Sequence, residues 1–207
     1  MRTFYPIIFL SFILILGSCS TKEQKQTEQK IEVSQYNYEI ATENCINEYF
    51  SKNVIKWGEL QSDMNEILQE ITIVGNKSKN ENVMYRAFIE YIIKHNKMPV
   101  SNKVRKLKKR LLNSMVIITK NGFGYPIAYC MKKSIKKYKS DIDKNKDKQF
   151  SDLMKAINAV NSARAMSPAL LAAGMKRIFT TENMNKSFYK KAYFLAFFVP
   201  TLSYSVN

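Results

Sequence analysis

The stretch Val54-Ile-Lys-Trp-Gly-Glu-Leu-Gln-Ser-Asp-Met-Asn-Glu-Ile-Leu-Gln-Glu-Ile-Thr-Ile-Val74 brings Trp57, Leu60, Met64, Ile67, Leu68 and Ile71 back at intervals of three and four residues. An α-helix turns once in about 3.6 residues, so this spacing lays an apolar stripe along one helix face. A half-buried strand would instead alternate at every second position. The spacing therefore predicts an amphipathic helix over 54–74, with Gly75 placed to cap its C-terminal end.

The same periodicity extends in both directions. Toward the amino terminus, a helix over 37–51 turns Ile40, Cys45, Ile46, Tyr49 and Phe50 inward. Toward the carboxyl terminus, a helix over 80–97 carries Val83, Met84, Ala87, Phe88, Tyr91 and Ile92, and stops before Pro99. Ser101 caps a helix over 102–120 that is lined by Val104, Leu107, Leu111, Met115 and Ile118 and ended by Asn121-Gly122-Phe123-Gly124. After Pro126, a helix to about 140 gathers Ile127, Cys130, Met131, Ser134, Ile135 and Tyr138. A Lys- and Asp-rich turn at 139–148 leads to a helix over 149–165, and Ser167-Pro168 opens another over 168–179. A last helix over 184–199 ends in the apolar run Ala192–Val199, before Pro200. Eight continuous apolar residues are too few for a membrane span, so this segment is expected to seal the core. Six Gly and five Pro leave few tight turns for a many-stranded sheet. The expected fold is all-α: an irregular multi-helix bundle of seven or eight helices forming one domain over 36–207.

Charge is divided along the chain. Residues 1–90 hold nine Lys+Arg and twelve Asp+Glu, whereas residues 91–207 hold twenty-four and five. From Tyr91 to Ser140 there are fourteen basic residues and no acidic one. Lys103, Arg105, Lys106, Lys108, Lys109 and Arg110 fall opposite the apolar stripe of the 102–120 helix. Lys132, Lys133, Lys136 and Lys137 do the same on the helix that follows. Such faces attract phosphates and anionic lipid head groups, or an acidic protein. Nucleic acid ranks below these because of the exported compartment that the amino terminus implies, and Tyr125, Tyr129 and Tyr138 are the only candidates for base stacking beside the charge.

The first residues carry a different pattern. Arg2 precedes an uncharged run of thirteen residues, Phe4–Leu16, broken only by Pro6 and Ser11. A membrane span needs about 20 apolar residues, so the run has the length of a cleaved export signal. It ends in Leu16-Gly17-Ser18-Cys19, which resembles the lipobox of bacterial lipoproteins. That resemblance covers about the first twenty residues. It implies cleavage between Ser18 and Cys19, which removes the signal peptide at 1–18, and lipid attachment at Cys19. Ser20 stands where inner-membrane lipoproteins of enteric bacteria often carry Asp, which points to the outer membrane. Residues 19–35 are polar and of mixed charge, and read as a lipidated flexible tether between membrane and domain.

Catalytic signatures are sparse. His95 is the single histidine, flanked by Lys94 and Lys97, which suits neither a nucleophile–base pair nor a metal site. No ligand spacing for zinc and no phosphate-cradling glycine loop is present in the sequence, so neither metal nor cofactor is expected. Glu39, Glu43, Asp63, Glu66 and Glu70 could serve a glycan hydrolase, but each falls on a polar helix side and reads better as solvated surface. Cys45 and Cys130 are the thiols left after lipidation, and export would put them where disulfides persist. A bridge between them is one reading. The stronger reading is two small hydrophobes on apolar helix faces. The expected function is non-enzymatic binding or a structural role at the cell envelope, with immunity against a secreted toxin and cell-wall glycan hydrolysis as alternatives.

Overall fold

The computed structural model describes residues 35–53, 56–73, 80–113, 125–162 and 166–203. Among these the secondary structure is helical throughout and no strand occurs, so the chain is an all-α multi-helix bundle. The helices are α1 (Asn37–Lys52), α2 (Trp57–Ile73), α3 (Glu81–His95), α4 (Asn102–Asn113), α5 (Tyr125–Asn145), α6 (Lys148–Ser162), α7 (Pro168–Met175), α8 (Ser187–Tyr193) and α9 (Val199–Ser203). The described residues belong to one compact unit. Gly75, Met115, Ile118 and the Asn121–Gly124 turn lie outside the described residues.

The centre of the bundle is its last segment. A single turn of π-helix, Phe194–Phe198, joins α8 to α9 in one continuous rod. From Tyr193 to Leu202 every described side chain is buried. The other helices surround this rod: α1 and α5 pack together, α2 bridges α3 and α4, and α7 lies on α3 and α6. Aromatic rings make many of the contacts. Trp57 meets Phe194 edge-on with centroids 5.6 Å apart, Phe88 meets Phe197 at 5.7 Å, and Phe150 meets Phe188 at 5.7 Å. Tilted and edge-to-face pairs of this kind contribute about 1 kcal/mol each beyond the area they bury.

Pro200 does not end the helix, contrary to the sequence expectation. Proline lacks an N–H, and its ring would press on the carbonyl four residues earlier. The π-turn just ahead of it widens the backbone, and the Val199 N–H donates to the Phe194 carbonyl, five residues back. The rod thereby continues to Ser203.

Two further boundaries differ from expectation. The Lys- and Asp-rich segment expected as a turn is helical to Asn145, held by buried Ile142, and α5 kinks at Tyr138 instead (φ −117°, ψ 24°). The true turn is Lys146-Asp147, with Lys146 left-handed at φ 49°. The Phe150 N–H donates to Asp147 Oδ1 at 2.9 Å, so Asp147 starts α6 as its N-cap. By contrast, Ser167 and Pro168 open α7 in the expected cap-then-proline order, with Ser167 Oγ accepting from the Leu170 N–H.

The inward faces are largely those expected for α2, α4 and α5. On α1 the face is rotated: Ile40 is exposed, while Tyr38, Glu39, Thr42, Ile46 and Phe50 are buried. On α3, Val83 is likewise exposed, and Tyr85 and Ile89 take inward positions.

Candidate functional site

The basic helices were built from the same pattern, but their surroundings differ. α4 buries Val104, Leu107 and Leu111 and packs on α2 and α9. Lys103 and Arg110, seven residues apart on one side of α4, meet the acidic side of α2. The Lys103 ammonium lies 3.1 Å from Glu66 and 3.4 Å from Glu70, and Arg110 pairs with Asp63. Glu66 raises the Lys103 pKa, chiefly through this hydrogen bond. Arg105, Lys106 and Lys109 are exposed and have no carboxylate partner among the described residues.

α5 stands on different neighbours: α1, α6 and the π-turn. It buries Ile127, Cys130, Met131 and Ser134, and exposes Lys132, Lys133, Lys136 and Lys137. None of these four lysines meets a carboxylate among the described residues. Lys137 lies over the Tyr138 ring, 5.1 Å from its centroid. Tyr129, one turn before Lys132 and Lys133, is 54% exposed. Beyond the kink at Tyr138 the exposed face acquires Asp141 and Asp143, so the acid-free part of the helix ends there.

A covalent bond fastens this helix. Cys45 of α1 and Cys130 of α5 form a disulfide with an S–S distance of 2.04 Å and Cα atoms 5.6 Å apart. The sequence reading weighted free apolar thiols above a bridge. Close packing of α1 against α5 brings the two sulfurs together across 85 residues of chain. Cys130 lies on the buried side of α5, away from the lysines.

The carboxylates considered for glycan cleavage are all engaged, one fully buried and a second largely covered. Glu39 is fully buried and accepts from Lys186 Nζ at 3.0 Å and from the Tyr36 N–H at 3.0 Å. Burial raises its pKa, and the Tyr36 and Lys186 hydrogen bonds oppose that rise. Glu43 is mostly buried and accepts from Lys191 and from Ser187 Oγ. For these two, the expectation of solvated surface is corrected: the lysines arriving with α8 compensate their burial. Asp63, Glu66 and Glu70 stay partly exposed in the α2–α4 pairs described above.

The sequence reading missed a third ion pair on α8. Glu81 accepts from Lys190, Gln61, Asn65 and Tyr85. Burial pushes its pKa up, but the hydrogen bonds outweigh that and hold it at about 2. The Lys186 and Lys190-Lys191 spacing was the available signal, since lysines on a largely apolar helix need acids to meet them.

His95 is exposed at the end of α3, its ring 4.4 Å from that of Tyr91. Among the described residues no three His, Cys, Asp or Glu come together in a metal-holding set. No helix of the described residues is long and apolar enough to cross a membrane. Ser18 and Cys19 lie outside the described residues.

No family model, curated protein or solved structure matches the chain. The functional reading therefore rests on its own residues.

Proposed function

We propose that the chain is a lipid-anchored, non-enzymatic binding or structural module of a bacterial cell envelope. Acyl chains on Cys19 hold it at the outer membrane, and its lysine-rich surface meets anionic lipid or an acidic protein. The observation that carries this reading is the succession of sequence features at the amino terminus: Arg2, the apolar run Phe4–Leu16, then Leu16-Gly17-Ser18-Cys19 and a polar follow-on. Two acyl chains, at roughly 0.8 kcal/mol per buried methylene, anchor a protein stably where one chain is marginal.

Two structural features favour this reading. The Cys45–Cys130 bridge is of a kind that persists outside the reducing cytoplasm, which suits an exported chain. A glycan hydrolase needs a carboxyl group free to exchange a proton at the scissile bond. Glu39, Glu43, Asp63, Glu66 and Glu70 are each paired with a cation instead.

Metabolic labelling with palmitate tests the proposal. The wild-type chain should incorporate label and Cys19→Ala should incorporate none, accumulating as precursor. Equal labelling of both would reject the anchor.

A further inference from the structure

We infer that the acid-free half of α5 is the membrane-contacting surface of this protein, and that its partner is the phosphate layer of an anionic lipid leaflet. The inference deepens the proposed anchoring and separates α5 from α4, which sequence charge alone treats alike.

The separation rests on what each helix meets. Two of the basic residues of α4 are occupied by Asp63, Glu66 and Glu70 of α2, so part of its charge is cancelled inside the protein. Lys132, Lys133, Lys136 and Lys137 meet no carboxylate among the described residues, and their field is directed outward. They rise along the helix in adjacent pairs, one pair per turn, over roughly 8 Å. The disulfide behind them, at Cys130, fixes the helix that carries them to α1.

The chemistry of the row favours lipid over an acidic protein. Its charges are all lysine, compact point charges on flexible stems, with none of the arginine forks that suit fixed carboxylates or phosphates. Lipid phosphates diffuse laterally and can gather under such a row, whereas a protein partner must match it with acids held in place. Tyr129, at the amino-terminal end of the row, adds an amphipathic ring of the type that sits at head-group level. The row stops at the Tyr138 kink, past which Asp141 and Asp143 offset Lys139 and Lys144 and the exposed face loses its net positive charge.

The tether makes this contact effective. Seventeen residues separate Cys19 from Asn37, a length that spans at most about 60 Å. With the acyl chains inserted, docking of α5 becomes an intramolecular step at high effective concentration. Each lysine facing an anionic surface then strengthens the contact by about fivefold.

The test uses the full lipidated protein on vesicles of phosphatidylcholine alone and of phosphatidylcholine with phosphatidylglycerol. A membrane-impermeant amine reagent and mass spectrometry read the labelling rate of each lysine. Lys132, Lys133, Lys136 and Lys137 should be labelled several-fold more slowly on the anionic vesicles, with Lys106 and Lys109 unchanged. Lys132→Glu with Lys133→Glu should abolish that difference at Lys136 and Lys137, while Arg105→Glu with Lys106→Glu and Lys109→Glu should preserve it at all four α5 lysines. Equal labelling on both vesicles overturns the inference and leaves the row to an acidic protein. Slower labelling of the α4 lysines to the same degree overturns the choice of α5. Retention on phosphatidylcholine alone depends on the acyl chains, so it reports the anchor separately from the row.

Discussion

Lys186 Nζ lies 3.0 Å from Oε1 of Glu39, a carboxylate with no exposed surface, although the two residues are 147 positions apart. Together with the Lys190–Glu81 and Lys191–Glu43 pairs, this contact ties the end of the central rod to α1 and α3. A buried pair adds little relative to a well-packed apolar pair, but removing one partner strands the other charge in low dielectric.

Lys186→Met should therefore lower the unfolding free energy by about 3 kcal/mol, because Glu39 is left buried and unpaired. The double variant Lys186→Met with Glu39→Gln should recover most of that loss. Urea denaturation of both measures it. A single variant within about 0.5 kcal/mol of wild type would show that the pair is not buried as described.

The Cys45–Cys130 bridge closes a sequence separation of 85 residues. A loop of that size constrains the unfolded chain enough to stabilise the fold by about 4.5 kcal/mol on the chain-entropy model. Cys45→Ala with Cys130→Ala should lower the melting temperature sharply, and a reductant should then have no further effect. Wild type melting identically with and without reductant would remove the bridge from the account.

Acid stability should follow Glu81. Its folded pKa of about 2 lies below the unfolded value, so its contribution is fully present above about pH 5 and is lost as pH falls from there toward 2. The amount is roughly 2 kcal/mol, since Glu81 retains some exposure. Glu39 acts in the opposite direction: its burial raises the folded pKa, so its contribution is present below the unfolded value and is lost as pH rises through the folded one. Glu81→Gln should flatten the fall in stability between about pH 5 and 2 relative to wild type. An unchanged slope in denaturation measured across that range would contradict the assignment.

Asp147 serves two elements at once. Its Oδ1 caps α6 through the Phe150 N–H, and its Oδ2 accepts from the Tyr38 hydroxyl at 2.7 Å. Asp147→Ala removes an N-cap and leaves a buried phenol unpartnered, so it should cost about 2 kcal/mol. Tyr38→Phe in the Asp147→Ala background should add little, as thermal denaturation of the pair would show.

The stripe Trp57–Ile71 was legible because one layer of neighbours buries one helix face, which is what three- and four-residue spacing encodes. The α5 lysines were legible for the complementary reason, since unpaired charges stay in water. Glu39 was misread because its inward turn depends on Lys186, far along the chain. The bridge was ranked below free thiols because a separation of 85 residues says nothing about proximity until α1 and α5 are packed. Likewise, Pro200 signals a helix end locally, and the buried π-turn that carries the rod past it has no local mark in the sequence.

The central claim is that this bundle is held at a membrane through Cys19. Intact-mass and amino-terminal analysis of the protein purified from its own cells tests it most directly. The account predicts a blocked chain beginning at Cys19, heavier than its residues by two or three acyl groups and recovered with membranes. A chain that begins at Met1, carries no added lipid mass and stays with soluble protein would contradict it.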